Sequence, residues 1–208
     1  MFHGRAFRGG LRFRTLCRDC NTGLGGREDK AIVDFFDRAR KLVESPIITS
    51  PIVRVPAKPN LIYKGLLAHL ISANDSGVPC SFDSEAREIF FGRRDIRLSS
   101  WNLFYWVFTG SSIFLMRNAY HAQWHPSVEV APIQILKSYP LGFMFAQKPW
   151  FMGLPNMMQF RQNRDDDETD IPIVLPLREG HQHWPAVPVG NTSVLLAGDT
   201  FGLVANKY

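Results

Sequence analysis

The sequence predicts an α+β fold, and three observations carry that prediction. Apolar residues recur at helical spacing in the first half of the chain. From Trp101 onward, short runs rich in aromatic and β-branched residues alternate with Gly, Pro, Asn and Asp. A hydrophobic content of 45% in 208 residues is enough to fill a core between the two kinds of element.

Residues 10–16, Gly-Leu-Arg-Phe-Arg-Thr-Leu, alternate with period two, so they predict a strand with Leu11, Phe13 and Thr15 on one side and Arg12 and Arg14 on the other. After Cys20 and Asn21, a glycine-rich turn leads into a helix expected from about Arg27 to Val43, with Ile32, Phe35, Phe36, Ala39 and Leu42 on one stripe. Pro46, Pro51, Pro56 and Pro59 follow at a spacing no helix interior tolerates. Residues 46–60 are therefore expected to be a linker between an N-terminal module (1–45) and a C-terminal domain (61–208).

In that second part, a helix is expected from about Leu61 to Ala73, and another from Asp83, as N-cap, to Phe91 before Gly92. Strands are expected at 103–108, 111–117, 128–136, 141–146, 171–177, 193–197 and 201–205, forming an antiparallel sheet packed on the helices. The acidic tract Arg164-Asp-Asp-Asp-Glu-Thr-Asp170 reads as a solvated loop, with divalent-ion binding as the alternative.

Composition narrows the function classes. No run approaches the roughly 18 apolar residues of a membrane span, and residues 1–14 hold four arginines without the apolar centre of a signal peptide. A cytoplasmic protein with no membrane partner is expected. The charge is local: residues 1–30 hold seven Lys/Arg against three Asp/Glu, or +4 of a net +5. Arg12, Arg14, Arg18, Arg27 and Lys30 are the candidate nucleic-acid contacts, because clustered cations take up phosphates by releasing counterions. A solvated surface, or an interface with an acidic partner, would look the same.

Three cysteines are too few for a disulfide scaffold. Cys80 reads as a small buried residue. Cys17 and Cys20 form a Cys-x-x-Cys turn, whose two thiolates can reach one zinc ion, although a closed structural site needs four ligands. Redox chemistry or half a zinc site are both open from spacing alone.

The segment Arg14-Thr-Leu-Cys-Arg-Asp-Cys-Asn-Thr-Gly-Leu-Gly25 resembles the second half of zinc-knuckle HNH endonucleases, whose ββα-metal unit is often braced by zinc on two Cys-x-x-Cys turns. The stretches Lys64–Asn74, Trp101–Trp106 and Pro140-Leu-Gly-Phe143 resemble the long C-terminal extension of some bacterial HNH-like proteins. The resemblance implies a partial ββα unit, structural zinc on Cys17 and Cys20, and a family asparagine at Asn21. Asn21 also suits a helix-entry turn. Asp29 or Glu28 falls where the family helix offers its last metal ligand, usually histidine, so magnesium is not expected here.

The pattern also departs from the family. The first Cys-x-x-Cys and the Asp-His or Glu-His carrying the general base are missing ahead of Cys17, where His3 is the one histidine. Either the native protein starts upstream of Met1 or the chain has lost the first half of the site, and the resemblance then implies a truncated or catalytically degenerate nuclease of bacterial or phage defence or mobility systems. Its partner would be DNA, and a further expectation is an intact site formed with a partner chain that supplies the missing half. The rival expectation is a non-enzymatic subunit or inhibitor docking on a nucleoprotein complex, with Trp101, Trp106, Trp124, Trp150 and Trp184 suited to an interface.

The remaining histidines carry less. His121 and His125, and His181 and His183, have pair spacing but no acidic or cysteine neighbour, and both pairs sit among turn residues. His69, on an apolar helix, is expected to be a hydrogen-bonded core or interface residue.

Overall fold

A computed structural model describes residues 22, 26–47, 50–74, 80–110, 112–124, 128–148, 153–175, 193–197 and 203–206. The expected strand at 10–16, the Cys17–Asn21 turn, and the pairing partners His125, His181 and His183 lie outside these residues. Within them the fold is α+β, with three helices and antiparallel sheets.

Helix α1 spans Glu28–Val43, with Glu28 and Asp29 in its first turn and Arg40 and Lys41 in its last. That charge order suits the helix dipole at both ends. Strand β1 follows at Ile52–Ala57, then α2 at Pro59–Ser72 and α3 at Ser81–Phe90. The sheet strands are β2 (Asn102–Val107), β3 (Ser112–Trp124), β4 (Val128–Ser138), β5 (Leu141–Ala146), β6 (Thr169–Val174), β7 (Ser193–Ala197) and β8 (Leu203–Asn206).

Six of these strands form one sheet in the order β2-β5-β4-β3-β7, with β8 also paired to β3. β1 and β6 form a separate two-stranded sheet, with Ile52 opposite Val174 and Ala57 opposite Thr169. The expectation of a single sheet is corrected here. The stretch 46–60 also differs from a plain linker, since β1 lies inside it and Pro59 is the first residue of α2. Pro56 looks like a breaker in the sequence, but a two-stranded sheet has free edges, and an edge tolerates a residue without an N–H.

β2 and β5 are buried on both faces, which is why they read as nearly continuous apolar runs. Leu103, Tyr105 and Val107 pack toward the helices with Leu141, Phe143 and Phe145. Phe104 and Trp106 pack on the opposite face with Met116, Ile133, Ile135 and Met144. α1 joins the first of these cores through Ala31, Phe35 and Ala39, so it shares one core with α2, α3 and the sheet.

Ring contacts tie the layers together. Tyr63 of α2 stands edge-on to Phe145 with centroids 5.1 Å apart, and Phe82 of α3 meets Trp101 at 4.9 Å. The Tyr63 hydroxyl donates to the Trp101 carbonyl at 2.8 Å, and that of Tyr105 to the Pro172 carbonyl at 2.8 Å. α1 and α2 cross closely at Gly65, where an added Cβ would fall 2.7 Å from Ile32 Cδ1. The glycine lets the two backbones approach.

Asp83 is not the N-cap of α3. Cys80 occupies that position, and Asp83, two residues into the helix, accepts from the Cys80 backbone N–H at 3.1 Å. It is fully buried, and it also accepts from Asn74 Nδ2 at 2.9 Å and from Arg117 of β3. Just past Arg117, β3 has a bulge. There Asn118 adopts a positive φ of 53°, and its N–H donates to Gln134 Oε1 at 2.8 Å.

Candidate nucleic-acid interface

Of the residues singled out as nucleic-acid or metal contacts, Arg27, Asp29 and Lys30 are described; Arg12, Arg14, Cys17, Arg18, Cys20 and Asn21 lie outside the described residues. Arg27 caps the start of α1, and Lys30 stands exposed one turn on. Both line a cleft of about 470 Å³ between α1, β1 and the start of α2.

The cleft brings together more cations than the sequence pointed to. Besides Arg27 and Lys30 it is lined by Arg38 and Lys58, set against Asp34, Asp166 and Glu168. Arg27, Lys30, Asp34 and Arg38 recur every three or four residues, a polar stripe that helical periodicity could have revealed. Lys58 could not have been found that way, because only the tertiary fold brings β1 and the acidic tract to α1.

That tract is solvent-exposed, as a solvated loop would be, and it is also tied down by ion pairs. Arg27 Nη2 lies 2.7 Å from Asp166 Oδ2, Arg38 Nη1 2.6 Å from Glu168 Oε1, Lys58 Nζ 3.9 Å from Asp166 Oδ1, and Lys64 Nζ 2.5 Å from Asp165 Oδ2. The tract is also held independently of these pairs. Buried Asn60 donates to the Gln162 carbonyl at 2.9 Å and accepts from its N–H at 3.1 Å, and β6 pairs with β1 from Thr169 onward.

Asp29 faces away from the cleft's cations and pairs with His69 Nε2 at 2.9 Å. His69 is thus a half-exposed residue hydrogen-bonded across the α1–α2 interface. Along α1 itself, Lys30, Arg38, Arg40 and Lys41 are balanced by Glu28, Asp29, Asp34 and Asp37. The helix alone therefore carries no basic surface.

Other ionisable groups sit deeper. Among the described residues, no group of three or more His, Cys, Asp or Glu side chains is placed to hold a metal ion. Cys80 is partly exposed, and burial pushes its thiol pKa up. His121 is buried, and burial, followed by the charge of Lys148, pushes its pKa down. Lys137, only 4% exposed, lies between two rings, with Nζ 5.0 Å from the Phe108 centroid and 4.5 Å from that of Phe114. No described helix is long and apolar enough to cross a membrane.

Known proteins add nothing to this geometry. No protein-family model, no curated protein and no solved structure matches the chain.

Proposed function

We propose that the chain is a nucleic-acid-associated protein related to zinc-knuckle HNH endonucleases, catalytically degenerate and acting on DNA in the cytoplasm, within a bacterial or phage defence or mobility system. The observation that carries this reading is Cys17-Arg-Asp-Cys20-Asn21, set between the basic alternation of residues 10–16 and helix α1, which opens at Glu28. On this reading, Cys17 and Cys20 are two ligands of a structural zinc. Arg12, Arg14, Arg18 and Lys30 contact phosphates, while Arg27 does so in exchange for Asp166. The sixteen residues ahead of Cys17 hold no Asp-His or Glu-His to activate water, and a site without such a base loses roughly 10²–10⁴ in rate.

Two measurements test it. Metal analysis of the purified protein should find zinc that is lost in the Cys17→Ser/Cys20→Ser variant. A metal-free protein with both thiols freely alkylated would count against the zinc role. Duplex DNA should bind without sequence preference and with strong salt dependence. Each neutralised phosphate contributes about −0.9 to the slope of log affinity against log salt, so Arg12→Ala/Arg14→Ala should flatten it by up to roughly two units. Circular dichroism serves as the folding control.

A second reading, a subunit that docks on a nucleoprotein complex through protein contacts, has a specific observation in its favour. α1 is charge-balanced and Arg27 is already paired with Asp166. Absence of duplex binding at low ionic strength would make that the better account.

A further inference from the structure

The largest group of cross-element ion pairs in the described structure joins one short segment, 165–168, to cations from three different places: α1, the residue before α2, and α2 itself. We propose that the cleft between α1, β1 and α2 is a phosphate-backbone surface, and that the carboxylates of Asp166 and Glu168 are its built-in competitors. This rests on the nucleic-acid reading above and places that contact in the fold.

Three features carry the proposal. The cleft lining holds four cations against three carboxylates, so it is nearly neutral as it stands and strongly basic once the segment's charge is removed. The pairs at Asp166 and Glu168 are exposed, with the Arg27 and Asp166 side chains 57% and 62% accessible and those of Arg38 and Glu168 40% and 45%. Exposed pairs of this kind are weak and screened by salt, so a phosphate oxygen can take the place of the carboxylate oxygen. Finally, Arg27 and Arg38 present guanidinium groups, whose planar forks suit a phosphate as well as a carboxylate.

The segment does not have to swing away. Asn60 holds it at Gln162, and the β1–β6 pairing holds it from Thr169. Arg38 also keeps its bond to the Pro56 carbonyl, at 2.5 Å, whichever anion it faces. Competition is therefore between side chains on a fixed backbone, and the carboxylates can be neutralised without detaching the segment.

The test is duplex DNA binding across a salt series for the full chain and for Asp166→Asn/Glu168→Gln, with thermal unfolding as the folding control. A second variant, Glu88→Gln/Asp95→Asn, makes the same two-charge change and also uncovers arginines, at Arg93 and Arg97, but around the end of α3. The cleft variant should bind more tightly at every salt concentration. Arg27, Arg38 and Lys58 are released together, so its slope should steepen by about 2–3 units. The α3 variant should keep a slope close to the parent's.

Equal gains in both variants, or no gain in the cleft variant, would overturn the proposal. If the parent binds and the cleft variant binds no better, the proposal fails while the nucleic-acid reading stands. If the parent does not bind, the nucleic-acid reading fails and the proposal with it, even where the cleft variant gains binding. If neither binds, both are lost.

Discussion

Asp83→Ala is expected to cost about 3–5 kcal/mol of folding stability, read as a lowered midpoint in urea unfolding, because it leaves the guanidinium of Arg117 buried without its counter-charge. Asp83 is 0% exposed and the Arg117 side chain 7%, so water reaches neither. The same substitution removes an acceptor of Asn74 Nδ2 and that of the Cys80 N–H at the N-cap of α3. The companion experiment is Asp83→Ala/Arg117→Met. Removing both charges takes away the desolvation cost along with the attraction, so the double variant should recover a large part of the loss. A double variant as unstable as the single one would mean that the helix cap, rather than the ion pair, sets the cost.

Lys137 carries the opposite sign. Burial pushes its pKa down to about 8, whereas an unfolded chain restores an ordinary lysine value of about 10.4. Between those values the unfolded state binds more protons than the folded one, so stability rises with pH. From pH 7 to pH 9.5 the gain should be about 2 kcal/mol. Above about pH 10 the trend should reverse, because burial raises the pKa values of Tyr63 and Tyr105 and their ionisation then favours the unfolded chain. Lys137→Met should flatten the rise between pH 7 and 9.5. At neutral pH it should stabilise the protein by about 1–2 kcal/mol, the desolvation cost removed less the attraction lost to the Phe108 and Phe114 rings. Unfolding midpoints measured at several pH values for parent and variant check both statements. An unchanged pH profile would mean that the lysine ammonium is solvated in the folded protein.

What could be read from the sequence and what could not divides along physical lines. The strand expected at 141–146 is β5 at those residues, and that expected at 103–108 differs from β2 by one residue at each end, because apolar and aromatic runs bounded by turn residues carry their own signal. The stripe Ile32, Phe35, Phe36, Ala39 and Leu42 likewise marks the buried side of α1. The sequence does not separate an N-cap role for Asp83 from its place in the first turn of α3, because an acid at either position leaves the same local trace. The partner that distinguishes them, Arg117, is 34 residues away. β1 was hidden by Pro56, whose tolerance depends on an edge that only the folded sheet defines. At the interface, Arg27 and Lys30 were legible as cations. Their meaning changes with Asp166, 139 residues from Arg27, and no local pattern announces that neighbour.

The clasp between β1 and β6 also sets a timetable for synthesis. Ile52 pairs with Val174, a separation of 122 residues, so at roughly 5–20 residues per second β1 waits about 6–24 s for its partner to be translated. During that interval both edges of β1 are open to wrong pairing, including with β1 of a neighbouring nascent chain. Pro56 is useful at that stage, since it removes one donor from the exposed ladder of β1, and Arg54 in the same strand adds a charge. The residue that obscured the strand in the sequence thus makes the unfinished chain a poor template for aggregation on the ribosome.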